Sequence, residues 1–526
     1  MNERPSQASL LTHAPALLLL LAVVADSMQF ADADLYGHIR YGEMILSTGH
    51  LIRADPFSYT VAGRQWIDHE WLAEVLMALV YNALGVLGLK LLKFLSAGAI
   101  VTLLAVGLAE TGASIAAQFI ALGAAAIVLI QQMQFRPQLF DYVFFAALMA
   151  MLARESHGRR APLWLAVPML ALWANLHGGF FIGLAALGIY SAALAAQGVA
   201  RSIGLRRALR PGAITVAAAV ATLCNPWGIG EWSAVVRSLG NPYTRSRISE
   251  FKPLLEVLGG LHRAGMTTLP LMTMLLMLGA LAAACLLAPR GDDVGLLAIA
   301  AVMVAAAFAA ARNSALAAIA LTVPLAYHAD LAVRRVDRRA HALANASAAA
   351  ATPTFSSRSR MPRTLQLAVA FTALMMALGE GLFSGKLRAG IPFPVGAVDF
   401  MGAHNLGGNV LGEYSWGGYL IWHTPAGSRV FIDSRFEMVY PPRVQREYLD
   451  FFRGDNAAAA VLAAYPTAYV LMPSDSPISR FMTTQTRWRL LYRDPVAALF
   501  ARADSPAAHI QGVPTLRDKA PPSFFP

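Results

Sequence analysis

Eleven apolar runs dominate this 526-residue chain, at about 12–29, 89–109, 115–133, 138–153, 162–176, 179–198, 211–224, 268–288, 293–310, 313–332 and 364–384. A helix needs about 20 mostly apolar residues to cross the hydrocarbon of a bilayer. Inside that hydrocarbon every backbone N–H and C=O must be satisfied within the segment, so the runs have to be helices. Only 14% of the residues are charged and 57% are hydrophobic, against about 25% charged in an average soluble domain. The expectation is a mainly α, polytopic membrane protein with about eleven spanning helices. Residues 12–29 by themselves have signal-peptide character, with Arg4 ahead and small residues behind. The many later spans favour a retained helix.

The net charge of +11 would suggest nucleic acid in a soluble protein. In a membrane protein Lys and Arg collect in cytoplasmic loops, so no nucleic-acid partner is expected. With the N-terminus inside, the inner loops hold "RESHGRR" (154–160), "RSIGLRRALR" (201–210), "PRGDD" (289–293) and the Arg-rich 333–363 segment, whose Ala/Ser content reads as disorder. This sorting requires that 71–87, although apolar, lie along the surface as a helix rather than span. A first outer loop then covers 30–88, and "DADLYGHIR", "WIDHEW", "QFRPQLFD", "NLHGGF", "NPWG" and "RNS" all face the same side. The transmembrane domain is read as 1–384. The tail, 385–526, alternates β-rich and helical stretches with Gly and Pro turns and reads as a small outer α/β domain with a partly parallel sheet. Cys224 and Cys285 lie in apolar segments with neither disulfide nor metal spacing.

A helix starting near Asp34 would carry Asp34, His38 and Tyr41 on one face and Leu35, Ile39, Gly42 and Leu46 on another, as an amphipathic helix at the interface. Asp32 and Asp34 converge if the chain bends at Asp32. Such a pair holds a divalent cation such as Mg or Mn through oxygen ligands, or one member takes a proton from an attacking hydroxyl. The plain alternative is that both acids favour a helix N-terminus. Asp68, His69 and Glu70 open the surface helix; Asp68 has the position of an N-cap, and His69 and Glu70 would face the same cleft as Asp34. His177, in "NLHGG", reads more simply as a polar helix end.

A short N-terminus, one span, an outer loop opening on Asp-x-Asp, surface helices, many further spans and a soluble outer tail resemble the GT-C class of membrane glycosyltransferases. That class includes protein mannosyltransferases, aminoarabinose transferases and the catalytic oligosaccharyltransferase subunit. The string "DxDLxxHIRxGxxIL…ADPFSYTxxGxxWIDHEWLxE" resembles, more closely, a group of bacterial GT-C-like proteins. That group usually has an aromatic pair where Tyr36 and Gly37 stand here. The resemblance implies a polyprenyl-phosphate-linked sugar donor and an essential acid at Asp34, with Asp32 beside it. It also implies arginines on the departing phosphate, because a planar guanidinium binds phosphate bidentately. Arg136, Arg245, Arg247 and Arg312 stand at outer span ends or loops, where an arginine can equally snorkel. Trp416, Gly417, Gly418 and Tyr419 echo an acceptor-contacting motif of the oligosaccharyltransferase, with flat rings suited to sugars; the competing reading is a core strand and turn of the tail. The implied activity is inverting transfer of a hexosyl or pentosyl group to a glycan, lipid or protein acceptor at the outer face of a bacterial cytoplasmic membrane. The alternatives are a transporter or flippase of a lipid-linked substrate, and a non-catalytic assembly or sensor protein with the same fold.

Overall fold

The structure, a computed structural model, describes residues 30–202, 204–239, 249–288, 293–347, 387–510, 515–516 and 524–525. The expected spans at 12–29 and 364–384, and with them Arg245 and Arg247, lie outside the described residues. Among the described residues thirteen helices precede the tail: α1 (Leu35–Thr48), α2 (Trp71–Leu84), α3 (Val86–Glu110), α4 (Ile115–Gln132), α5 (Gln138–Ser156), α6 (Ala166–Leu176), α7 (Phe180–Ala200), α8 (Arg206–Ala221), α9 (Ile229–Leu239), α10 (Leu254–Arg263), α11 (Leu269–Leu287), α12 (Val294–Ala309) and α13 (Ser314–Ser347). Nine of them, α3–α8 and α11–α13, fall on nine of the expected runs. Among the described residues four stretches are long and apolar enough to cross a membrane by themselves: Val86–Glu110, Phe180–Ala200, Leu269–Leu287 and Ala311–His341. The chain is thus a multi-pass membrane protein. One continuous apolar core runs through these helices, from Ala97 in α3 to Ala326 in α13.

Helix α2 is separate from α3 because Gly85, at φ 60°, turns the chain between them. Its 14 residues reach roughly 21 Å, short of the about 30 Å of bilayer hydrocarbon, as expected for a surface helix. Of the Arg-rich 333–363 segment, residues 333–347 depart from expectation, since α13 continues as helix to Ser347, and 348–363 lie outside the described residues.

The tail is a mixed α/β unit. Its six-stranded sheet has the order β4-β3-β5-β7-β6-β8, with β3 (Asn409–Gly412), β4 (Arg429–Val430), β5 (Tyr469–Pro473), β6 (Trp488–Arg493), β7 (Ala497–Arg502) and β8 (Thr515–Leu516). The pairs β3–β4, β3–β5 and β6–β8 are parallel, and β5–β7 and β6–β7 antiparallel. A second, three-stranded sheet ties the tail to the start of the loop that leads into α1. In it β1 (Phe30–Ala31) pairs parallel with β2 (Leu387–Ala389), which pairs antiparallel with β9 (Phe524–Phe525).

Helix α1 is not the interfacial amphipathic helix expected. Leu35, Tyr36, Gly37, His38, Ile39, Tyr41, Gly42 and Ile45 are all buried. One side is covered by α2: a Cβ on Gly42 would stand 2.1 Å from the Glu74 carbonyl oxygen, so the two helices touch backbone to backbone. The other side is covered by the tail. Tyr36 meets Phe393, Tyr419 and Phe525 at ring-centroid distances of 5.1, 5.2 and 4.7 Å. Gly37 faces Gly418, where a Cβ would lie 3.0 Å from the Gly37 nitrogen. At position 37 an added Cβ would meet the Tyr41 ring of the same helix, its hydroxyl oxygen at 3.0 Å, so glycine there leaves room for Tyr41, and Gly418 is the residue that lets the helix Gly417–His423 reach the α1 backbone.

Candidate active site

Asp32 and Asp34 lie where the chain bends into α1, and the bend brings both to one cation. Arg136, in the turn between α4 and α5, donates from Nε to Asp32 Oδ1 at 2.7 Å and places Nη2 2.9 Å from Asp34 Oδ2. Its Nη1 reaches Glu250, in the turn before α10, at 3.3 Å. Asp32 Oδ1 also accepts from the Asp34 backbone N–H at 2.9 Å, which fixes the pair relative to each other. Arg312 approaches Glu250 from the far side at 3.8 Å, its guanidinium 4.3 Å above the Phe251 ring. The Ser434 hydroxyl, from the tail, donates to Asp34. Residues from the loop ahead of α1, two span ends, the turn before α10 and the tail thus gather around Arg136 and Asp34.

Burial raises the Asp34 carboxyl to about 7, against the lowering pull of Arg136; the neighbouring Asp32 and Glu250 add to the rise. Burial works against the Arg136 cation, but Asp34, Asp32 and Glu250 outweigh it and fix the charge. A divalent ion between Asp32 and Asp34 was one expectation. The guanidinium already lies on both carboxylates, and a metal ion there would face a fixed positive charge at contact distance. This donor set suits an arginine rather than a metal.

One helical turn beyond Asp34 a second cluster begins. His38 Nδ1 is 3.0 Å from Glu74 Oε1 and 3.9 Å from Glu70 Oε2. The other Glu70 oxygen lies 3.9 Å from His69 Nε2 and 3.3 Å from His177 Nε2. Behind His177, Asp141 takes its Nδ1 at 2.6 Å and accepts from the Trp173 indole N–H, also at 2.6 Å. Burial pushes Glu70 upward, but His69, His177 and His38 outweigh it and hold the carboxyl below its usual range. Burial likewise opposes the His177 cation, yet Asp141 and Glu70 raise it to about 10. Burial lowers His38 and His69.

Sequence-predicted residues fare differently. Asp32, Asp34, Arg136 and Arg312 come together, and His38, His69 and Glu70 join them as the adjoining cluster. Arg136 is occupied by acids, leaving Arg312, about a quarter exposed, as the freer guanidinium. Trp416 and Tyr419 are corrected: both are core residues. Trp416 donates to the Pro392 carbonyl at 3.0 Å and is 4% exposed, and Tyr419, equally buried, stacks on Phe393 at 4.9 Å. The segment is also a helix, Gly417–His423, rather than a strand. Tyr41 turns away from Asp34 into a box with Phe57 and Trp66 around Arg435, a buried cation paired with Asp55 and Asp433. Glu250, Ser434, Asp141 and Glu74 carry no role in the sequence-based expectation. Asp141 lies inside the motif "QFRPQLFD" and Glu74 closes "WIDHEWLxE"; nothing in the local sequence marks Ser434 or Glu250.

Two solved structures share this architecture. The oligosaccharyltransferase of Archaeoglobus fulgidus superposes with a TM-score of 0.53 at 14% identity, over 87% of this chain and 69% of that one. The arabinofuranosyltransferase AftD from Mycobacteria gives 0.53 at 16% identity, over 95% of this chain and 42% of that one. The chain therefore spans less than half of that second protein. No protein-family model and no curated protein matches the sequence. The chain thus shares the fold of these two membrane glycosyltransferase structures.

Proposed function

We propose that the chain is an inverting GT-C-type glycosyltransferase that moves a sugar from a polyprenyl-phosphate-linked donor to an acceptor hydroxyl. The reaction would run on the outer face of a bacterial cytoplasmic membrane, with a glycan, lipid or protein as acceptor. The observation that carries this reading is the position of Asp34: a half-buried carboxyl raised to about 7, held between Arg136 and Ser434, where loop, bundle and tail meet. A base works best when its pKa lies near the working pH. In this reading Asp34 takes the proton of the acceptor hydroxyl as its oxygen bonds to the anomeric carbon. The bond from that carbon to phosphate breaks, and the phosphate leaves with the electron pair. Arg312 meets the developing phosphate charge, while Arg136 keeps Asp34 from being protonated outright. Support comes from the fold and from the gathering of these residues at one end of the bundle.

The test is release of polyprenyl phosphate by the purified chain from a panel of polyprenyl-phosphate sugars, with cell-envelope extract as acceptor. Asp34→Asn, nearly isosteric but unable to take a proton, should lower turnover by about 10²–10⁴ and leave the melting temperature close to that of the parent. Full turnover in Asp34→Asn, or no release from any donor by the parent chain, would sink the reading.

A further inference from the structure

The histidine cluster is more elaborate than a base, or a buried ion pair, requires. Three side chains from two elements, His69 and Glu70 before α2 and His177 after α6, bring Nε2, Oε1 and Nε2 atoms within 4.8 Å of one another. The His177–Glu70 separation of 3.3 Å matches the about 3.3–3.4 Å between ligand atoms of a tetrahedral site with bonds near 2.05 Å. The backbone is cut to fit. A Cβ on Gly178 would lie 3.1 Å from the His69 ring, and one on Gly179 would lie 2.2 Å from Asp141 Oδ1. Both glycines of "HGG" therefore make room for this cluster.

Two independent features point to a ligand. Histidines that bind metals commonly give their other ring nitrogen to a carboxylate, which sets the tautomer and the ring orientation. His177 does this: Nδ1 is fixed by Asp141, itself held by Trp173, so that Nε2 faces Glu70 and His69. Next, Glu231 on α9 is fully buried with both carboxylate oxygens unpartnered, and its charge bears on Glu70 and His177. Asp68 and Glu74, both buried, share a side-chain hydrogen bond beside it. Asp68, Glu70, Glu74, Asp141 and Glu231 thus surround His38, His69 and His177. This surplus of acid is costly to bury unless cations offset it.

We propose that His69, Glu70 and His177 bind one divalent transition-metal ion of the zinc class, at a site separate from the Asp32–Asp34 pair. Imidazole nitrogen with a single carboxylate suits zinc better than magnesium or manganese, which prefer oxygen. Glu231 is placed to balance the charge of the ion. The site is independent of whether the chain transfers a sugar.

The test uses the full chain, purified in detergent with a tag free of histidine, stripped with chelator, reloaded with Zn²⁺ and desalted. About one zinc per chain is expected, with a raised melting temperature on reloading. Co²⁺ should give the visible bands of a tetrahedral nitrogen–oxygen site. His177→Gln and Glu70→Gln should lose the bands and the bound zinc. Asp141→Asn, which keeps all three ligands, should bind zinc about 10–100-fold more weakly. Asp34→Asn should bind zinc as the parent does. The proposal is overturned if the stripped parent takes up no zinc and shows no cobalt bands. It is overturned equally if His177→Gln and Glu70→Gln keep the bands, or if Asp34→Asn is the variant that loses them. Because the parent alone can refute it, misfolding of a variant leaves the test intact.

Discussion

At the scale of the residue, the balance at Asp34 makes a directional prediction. Its carboxyl is raised by burial to about 7 and pulled down mainly by Arg136, with Asp32 pushing it up. If ionised Asp34 is the base, turnover should climb as pH rises through about 7 and level off above. Arg136→Gln removes the lowering charge and should move this limb upward by about one unit or more, whereas Asp32→Asn removes a raising charge and should move it downward. Rate–pH profiles of the three proteins decide the matter: shifts in the same direction, or none, would detach the limb from Asp34. The effect on stability has the opposite sign to the effect on rate. The folded state holds the Asp34 proton more tightly than the unfolded chain, so between 3.8 and about 7 this group's contribution falls as pH rises. Asp32, Asp34, His69 and Glu70 were legible because acids and histidines clustered beside an apolar run stand out. Their partners were not. Glu250 and Ser434 become site residues only through contacts about 216 and 400 positions along the chain from Asp34. Trp416 and Tyr419 misled because an aromatic ring has the same appearance in sequence whether it stacks on a sugar or on Phe393.

At the scale of the element, apolar runs located the bundle helices well, since a span must be long and apolar whatever its neighbours. Surface helices were harder. The face of α1 was assigned from periodicity on the assumption of one wet side, but α2 and the tail cover both. The cause is glycine: Gly42 admits α2, and Gly418 lets its own helix reach the Gly37 backbone. Closeness of this kind is absent from a hydropathy pattern. It is also testable. Gly42→Ala would put a methyl into the Glu74 carbonyl, part α1 from α2 and disturb the His38–Glu74 contact, at the about 1–3 kcal/mol typical of overpacking. Gly123→Ala, inside α4 with nothing within 4 Å of the added carbon, should be neutral or raise stability by up to about 1 kcal/mol, the helix preference for alanine. Thermal unfolding in detergent compares them. A Gly42→Ala melting temperature equal to that of Gly123→Ala would show that the crossing is looser than described.

At the scale of the molecule, charge sorting and geometry meet along single helices. Helix α5 runs from the turn holding Arg136, past Asp141, to Arg154 and Glu155, and its 19 residues rise roughly 28 Å, close to the about 30 Å of bilayer hydrocarbon. At its far end Arg154 and Arg159 pair with Glu110, and Arg210 pairs with Glu155. Those arginines belong to the two loops whose basic residues marked the inner side, and they stand together away from the site. The candidate site gathers at the other end, under the tail, where the Tyr59 N–H of the loop between α1 and α2 donates to the Val430 carbonyl. This convergence was legible in outline because the positive-inside bias acts on every loop at once; the pairing of particular charges was not, since any inner arginine could have served. Sidedness follows as the prediction. The two native cysteines already sit near opposite ends: Cys224, exposed, offers its carbonyl to Asn175 beside the site, and Cys285 lies toward Asp293 at the far end. In intact cells a membrane-impermeant maleimide should label Cys224, and in a cysteine-free background it should label Arg64→Cys, exposed in the outer loop. Arg159→Cys, exposed at the arginine end, should be labelled only after the membrane is permeabilised. The reverse pattern would place the Asp34 site in the cytoplasm, where positive charge would then face outward. Labelling of both engineered cysteines in sealed cells would mean that the two ends of α5 do not lie on opposite sides of a bilayer.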